Sequence, residues 1–384
     1  MSESRFAPFM KEALVCAERG RWLAAPNPTV GAVLVREGRI VARGWHAGFG
    51  KEHAEVACLA DAGRKGIDPS ACILVVTLEP CNHYGKTPPC VEAILAAGIR
   101  HVVIGMRDIN PEARGGVETL LAAGVTVETG VLEDSCRLSM LDFITWQNTD
   151  RPYVILKMAA TLDGHIASRT GKPETVSNEA SREIVMRLRS GVGEAGGAVL
   201  VGANTLYIDN PRLTARAEGA VREPLAVMPT RRLPSPEANL NVLQQRPEDC
   251  VFFTTAAQAA SPGAQALREK GVRVRGLEPD ERGQGLDLLQ LLRLLREQEH
   301  CPYVLCEGGA RLATNLLENG LVDDFRLHLA PRVLGDADAP SLFCGRTCGS
   351  MEETLNLRLV SMRNVSGDCH LRYVSGMGAA CLQD

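Results

Sequence analysis

The chain has 384 residues, more than one ordinary hydrophobic core organises and comfortable for two domains. With 45% hydrophobic and 23% charged residues it has a globular composition, and no window approaches the ~20 apolar residues of a membrane-spanning helix, so no membrane partner is expected. The net charge is −4, and residues 1–147 hold 15 basic against 17 acidic side chains, so no half carries the basic excess that nucleic-acid binding requires.

In chain order, the N-terminal MSESRFAPFM lacks the apolar core of a secretion signal and is unlike a transit peptide, which makes a cytoplasmic location the expectation. Thirteen cysteines are then expected to be reduced thiols or metal ligands. Apolar periodicity predicts a helix over 6–19 and two strands, 29–36 and 39–45, meeting in a hairpin at Glu37-Gly38. Helices near 53–63, 91–97 and 117–123 alternate with strands at 72–77, 101–105 and 125–129, and a helix over 132–146 completes an α/β unit. The polar stretch Gln147–Pro152 breaks the pattern, placing a boundary near residue 150. A second α/β series follows, with strands at 153–159, 198–201, 225–228, 251–254 and 303–306 and helices at 179–189, 286–297 and 311–318. Residues 230–247, rich in proline and polar side chains, read as an exposed loop.

The chemistry concentrates in His53-Ala54-Glu55 and in the run Thr77–Cys90, TLEPCNHYGKTPPC. His53, Cys81 and Cys90 offer one imidazole and two thiolates, three ligands for tetrahedral Zn²⁺ with the fourth position left for water. Zinc of this kind lowers the pKa of water from 15.7 to ~7. Glu55, two residues after the histidine near a helix start, is placed to carry the proton without touching the metal, the division of labour known for zinc deaminases. A closed structural site would leave Glu55 without a role. The eight residues between Cys81 and Cys90 exceed the two of the general nucleobase-deaminase signature and bring His83 and Lys86 near the metal, suited to an anionic or polyhydroxylated substrate.

These segments, with Pro26-Asn27-Pro28-Thr29-Val30-Gly31, resemble the deaminase half of the bifunctional deaminase/reductase family of riboflavin biosynthesis. The resemblance implies hydrolytic removal of the 2-amino group of a 2,5-diamino-6-(5-phosphoribosylamino)pyrimidin-4-one, with Asn27 and His46 lining the pyrimidine pocket. From residue 151 onward the segments Lys157–Gly164, Leu200–Thr205, Asp209–Arg216 and Cys306–Ala310 resemble the reductase half of the same family. That implies an N-terminal cytidine-deaminase-like three-layer αβα domain over 1–147 and a C-terminal dihydrofolate-reductase-like α/β domain over 151–376. It further implies NADPH against Ala160, Thr205, Asp209 and the run Gly309, Ala310, Arg311, Leu312, Ala313, Thr314 and Asn315. Substrate contacts would come from Arg189, Leu213, Arg216 and Glu307, and the assembly would be a homo-oligomer.

Glu307-Gly308-Gly309 between a strand and a helix is a turn whose amides can cradle phosphate, whereas no G-x-G-x-x-G opens the domain. The chain departs from the family at Thr175-Val176-Ser177, where a tryptophan is usual, at Pro173, at the longer run Gly191–Gly197, at Asn210 and after Met228-Pro229, where an aspartate is usual. These departures keep open a paralogue with an active deaminase and an altered or inactive reductase. The long cysteine spacing, acidic balance and sparse aromatics argue against a nucleoside or tRNA deaminase. A zinc-stabilised protein without turnover is the non-enzymatic alternative, and Glu55 discriminates against it.

Overall fold

The computed structural model describes residues 4–84, 88–170, 174–215, 221–280, 283 and 285–375. The described chain divides after Asn148 into two compact units.

In the first unit five strands, β1 (Gly31–Arg36), β2 (Arg39–Trp45), β3 (Ile73–Leu78), β4 (His101–Met106) and β5 (Thr126–Thr129), form one sheet in the order β2-β1-β3-β4-β5. The hairpin closes through Glu37 (φ 51°) and Gly38 (φ 72°), both left-handed, the two-residue turn whose twist matches that of its strands. β1 runs antiparallel to β2 and β3, while β3, β4 and β5 are parallel. Helices α1 (Ala7–Ala17), α2 (Ala54–Arg64), α3 (Cys90–Ala96), α4 (Gly116–Ala122), α5 (Glu133–Ser139) and α6 (Leu141–Asn148) surround it. Two glycines set the layers. A Cβ on Gly31 would collide with the Ala13 carbonyl of α1, and one on Gly44 with the backbone of Ala54 and Cys58 in α2. Gly44 pairs with Ala32, and neighbours along a strand face opposite sides, so α1 and α2 lie on opposite faces of the sheet. The helix expected over 132–146 is broken at Met140 (φ −120°, ψ 20°). Buried Cys136, Met140 and Ile144 keep a four-residue helical spacing across the break, so periodicity alone cannot show it.

The second unit is built on nine strands: β6 (Tyr153–Thr161), β7 (Ala198–Leu200), β8 (Leu225–Pro229), β9 (Cys250–Thr255), β10 (Arg273–Leu277), β11 (Tyr303–Cys306), β12 (Asp324–Ala330), β13 (Arg358–Val365) and β14 (Asp368–Val374). Their order is β10-β9-β8-β7-β11-β6-β12-β14-β13, parallel from β10 to β12 and antiparallel in the final hairpin. The helices are α7 (Glu179–Glu194), α8 (Ala203–Asp209), α9 (Asn241–Gln245), α10 (Ala256–Ala259), α11 (Pro262–Glu269), α12 (Leu288–Glu297) and α13 (Ala310–Glu318). The core joins Val154, Leu156, Met158 and Ala160 of β6 to Leu291, Leu292 and Leu295 of α12 and Leu312, Ala313 and Leu316 of α13. Asn178 caps α7 by accepting from Ser181 N, and Asp287 caps α12 by accepting from Gln290 N, each worth about 1 kcal/mol. The segment 230–247 is not wholly a loop, because α9 lies within it and buries Val242 and Leu243. Glycines in the run Gly191–Gly197 allow close packing: a Cβ at Gly193 would strike the Arg222 carbonyl and one at Gly197 would meet the Tyr303 carbonyl. No helix among the described residues is long and apolar enough to cross a membrane.

Candidate active site

In the first unit the chain ends of three elements meet. His53 is the residue before α2, Cys90 opens α3, and Cys81 follows β3. His53 Nδ1 lies 3.2 Å from Cys90 Sγ and 3.5 Å from Cys81 Sγ, and all three ligand atoms fall within 4.8 Å of one another. A nitrogen at 2.0–2.1 Å and a sulfur at 2.3 Å from one tetrahedral centre are about 3.6 Å apart, so this spacing fits zinc. The two helix starts add partial positive charge, which favours thiolate. Cys81 is pulled down to about 4, first by the hydrogen bond with the Cys90 thiol and then by that with His53, while the same sharing and burial push Cys90 up.

Glu55 sits in the first turn of α2, 4% exposed. Burial, then the Cys81 charge, raises its carboxyl to about 7. A carboxyl near neutrality can both take and return a proton. Around it opens a cavity of about 280 Å³ that Asn27, His46, His53, Glu55, Cys81 and His83 all line. His46 Nδ1 lies 3.0 Å from the Glu52 carbonyl, which can only accept, so Nδ1 carries the hydrogen and Nε2 accepts from the Asn27 amide nitrogen at 3.4 Å. Burial lowers the His46 pKa, consistent with that neutral ring. The Asn27 carbonyl oxygen is thereby left as the acceptor of the pair. Among the described residues, Nδ1 of His83 is buried without a hydrogen-bond partner. Lys86 lies outside the described residues.

Sequence reasoning missed Asp108 and Asn110, which also line the cavity. They follow β4, the parallel neighbour of β3, and ligands gather at the carboxyl ends of adjacent parallel strands. That rule applied to the run Arg107-Asp108-Ile109-Asn110 was the available signal. Asp108 is 5% exposed, and burial raises its carboxyl to about 6.

In the second unit Glu307-Gly308-Gly309 follows β11 and the Gly202–Thr205 segment follows β7, its parallel neighbour. A Cβ on Gly308 would lie 2.9 Å from Thr205 Oγ1, and Gly309 is left-handed at φ 79°. Neither α8 nor α13 has a side-chain cap, so two sets of first-turn amides open at this end of the sheet, a fit for the phosphates of a dinucleotide. Within the expected run, Leu312 and Ala313 turn their side chains into the core, and the Thr314 hydroxyl donates to Ala310 O and accepts from Cys344 N. Arg311 is exposed and Asn315 half-buried. Ala160 also faces the core, so only its backbone is offered. Arg189 and Glu307 form a bidentate pair at 2.5 Å, both nearly buried. Lys157 stands nearby, its amine lowered to about 8 by burial against the counter-pull of Glu307. Asp209 is exposed at the end of α8, Leu213 is buried in a left-handed conformation (φ 53°), and Arg216 and Pro173 lie outside the described residues.

Residues 4–106 match the cytidine and deoxycytidylate deaminase zinc-binding region, and residues 152–371 match the RibD C-terminal domain. The riboflavin biosynthesis protein RibD of Aquifex aeolicus is 37% identical over 366 residues, spanning 94% of this chain and 96% of that protein. That of Escherichia coli is 33% identical over 377 residues, spanning 95% and 98%. Among solved structures, a Thermotoga maritima diaminohydroxyphosphoribosylaminopyrimidine deaminase/5-amino-6-(5-phosphoribosylamino)uracil reductase superposes with a TM-score of 0.79 at 33% identity, covering 97% of this chain and 99% of that one. Acinetobacter baumannii RibD gives 0.74 at 32% identity, covering 96% and 98%.

Proposed function

This chain belongs to the RibD family of bifunctional riboflavin-biosynthesis enzymes, and from that premise we propose how its residues divide the work. The first unit deaminates 2,5-diamino-6-(5-phosphoribosylamino)pyrimidin-4-one, and the second reduces the ribosyl group of the deaminated product to a ribityl chain with NADPH. The observation that carries the deaminase assignment is the convergence of His53, Cys81 and Cys90 beside the buried Glu55 carboxyl.

His53, Cys81 and Cys90 hold Zn²⁺, which when bound supplies the Lewis acidity that makes water nucleophilic at neutral pH. Glu55 takes one proton of the attacking water for the ring nitrogen beside C2 and passes the second to the departing amine, so that N=C2–NH₂ and water become HN–C2=O and ammonia. Asn27, oriented by His46, accepts from a pyrimidine N–H, and His83, Lys86 and the Asp108–Asn110 segment address the ribose phosphate side. The cavity excludes bulk water from Glu55, which is what keeps its carboxyl poised.

In the second unit the amides from Gly309 through Leu312, facing Thr205, hold the cofactor phosphates, with Ala160 contributing backbone and Asp209 its carboxylate. NADPH supplies the hydride; Arg189, Glu307, Leu213 and Arg216 bind and orient the opened ribose phosphate. The domain borders are 1–147 and 151–376. A cytoplasmic homo-oligomer completes the proposal, resting on family resemblance, with sedimentation as the check on the oligomer.

The test follows ammonia release and NADPH consumption in one reaction on the diaminopyrimidinone ribotide. Ammonia preceding oxidation is expected. Glu55→Gln should retain one zinc per chain and lose about 10²–10⁴-fold in deamination, while still oxidising NADPH on the deaminated ribotide. Undiminished ammonia release by that variant would remove Glu55 from the mechanism.

A further inference from the structure

Glu79 stands two residues before Cys81, and its side chain is fully shielded from solvent. It is not a metal ligand and does not belong to the proton-carrying set. Its carboxylate accepts four hydrogen bonds. Oε1 accepts from Gly115 N at 3.2 Å and Val117 N at 3.1 Å, and Oε2 accepts from Asp108 N at 3.1 Å and Arg107 Nε at 2.9 Å. Every partner is a donor, and no proton is left over for Glu79 to give. Both ends of the loop between β4 and α4 are therefore tied to one buried carboxylate, at Arg107-Asp108 and at Gly115 and Val117. The interior of that loop carries Asp108, Asn110 and Ala113, which form a wall of the cavity. The next residue after Cys81 adds to the tie, with Asn82 N donating to Ala113 O at 3.2 Å and Asn82 Nδ2 to Thr119 Oγ1 at 3.0 Å.

We propose that Glu79 is a positioning residue for deamination: its carboxylate sets the 107–117 loop in register with the metal-ligand strand end, so that Asp108 and Asn110 meet the substrate while Cys81 meets the metal. This rests on the deaminase reading above. The role is distinct from folding the unit, because the core of β3 and β4 is built from Leu74, Val76, Val102 and Ile104 without it. It is also distinct from metal binding, because no Glu79 hydrogen bond involves a ligand side chain.

Glu79→Gln is the discriminating change. It preserves shape and volume, but its amide nitrogen must face one of the two donor pairs, freeing one end of the loop. With zinc-loaded protein, the KM for the diaminopyrimidinone ribotide should rise at least tenfold while kcat falls less than threefold and zinc stays at one per chain. Amide hydrogen exchange should accelerate in 107–117 and stay unchanged in α2. Reductase turnover on the deaminated ribotide reports that the chain is folded, and deamination by the unaltered enzyme separates failure of this idea from failure of the substrate assignment. An unchanged KM overturns the proposal, and so does loss of zinc with kcat falling at constant KM, since that would make Glu79 a support for the metal alone. Should Glu79→Gln not fold, Arg107→Leu removes one donor from a half-exposed position. It should raise KM about threefold with faster exchange in the same loop, and unchanged values for both overturn the proposal.

Discussion

His328 on β12 and His370 on β14 stack face to face, ring centroids 3.5 Å apart and planes within 11°. Around them stand Lys157 from β6, Arg326 on β12, Asp368 on β14 and Ser181 from α7. The Ser181 hydroxyl donates to Asp368 and so accepts from His370 Nε2–H, which places a hydrogen on that nitrogen, and burial lowers the pKa of the ring. His328 is 4% exposed, its Nδ1 has no hydrogen-bond partner among the described residues, and burial followed by Lys157 pulls its pKa to about 2 from 6.5. Between those values the unfolded chain binds a proton that the folded one refuses, so stability is complete above pH 6.5 and falls as the pH drops below it. Denaturant titrations from pH 8 to pH 5 should show a decline of up to about 1.4 kcal/mol per pH unit below pH 6.5. His328→Phe, which keeps a stacked ring, should flatten that slope. A slope unaltered by the variant would assign the acid sensitivity elsewhere. None of this was visible beforehand, because a histidine in an apolar run carries no mark of what lies on the adjacent strand. The metal triad differs: His53, Cys81 and Cys90 are unusual types at a recognisable spacing, and a resemblance could be read from them directly. Asp108 and Asn110 were passed over because an acid and an amide after a strand are equally good turn residues.

At the scale of elements, the placement of α2 decides whether His53 and Glu55 reach the cavity. α2 rests on β2 at Gly44, where the backbone of Ala54 and Cys58 fills the space a side chain would need. Gly44→Ala should therefore lift the start of α2, lowering stability by roughly 1–3 kcal/mol and deamination by an order of magnitude or more. Gly38→Ala is the control. It has no atom within 4 Å of the added carbon but a left-handed φ of 72°, so it should cost about 1 kcal/mol and leave deamination unchanged. Thermal melts with ammonia assays separate the two, and equal activity losses would mean that Gly44 contributes only stability. The β1–β2 hairpin, the parallel strands β3–β5, β6–β9 and β11, and α12 were legible because long apolar runs bounded by turn residues leave few alternatives, whereas β12, its apolar residues interrupted by Arg326 and His328, was not foreseen. β10, with its alternating Arg273, Val274 and Arg275, and the β13–β14 hairpin were not legible either, since strands so little buried carry too little apolar signal.

The whole molecule joins two chemistries whose requirements do not overlap. All three proposed metal ligands belong to the first unit, and the second closes a core of its own from β6, α12 and α13. A metal that binds only the folded first unit stabilises that unit by mass action and adds nothing to the other. Treating the enzyme with a zinc chelator should therefore abolish ammonia release, while NADPH oxidation on the deaminated ribotide continues at its original rate. Calorimetry of the same sample should show one transition moving down and another staying in place. Readdition of zinc should restore both the lost activity and the shifted transition, because the ligand atoms of His53, Cys81 and Cys90 already lie within 4.8 Å of one another. If chelation instead stopped NADPH oxidation as well, the separation inferred from two closed cores would be wrong, and the metal would have to be regarded as a stabiliser of the entire chain. The departures at Thr175 and Thr230 bear on the same experiment: steady oxidation by chelated enzyme would show that the second unit reduces its substrate without the usual tryptophan and aspartate.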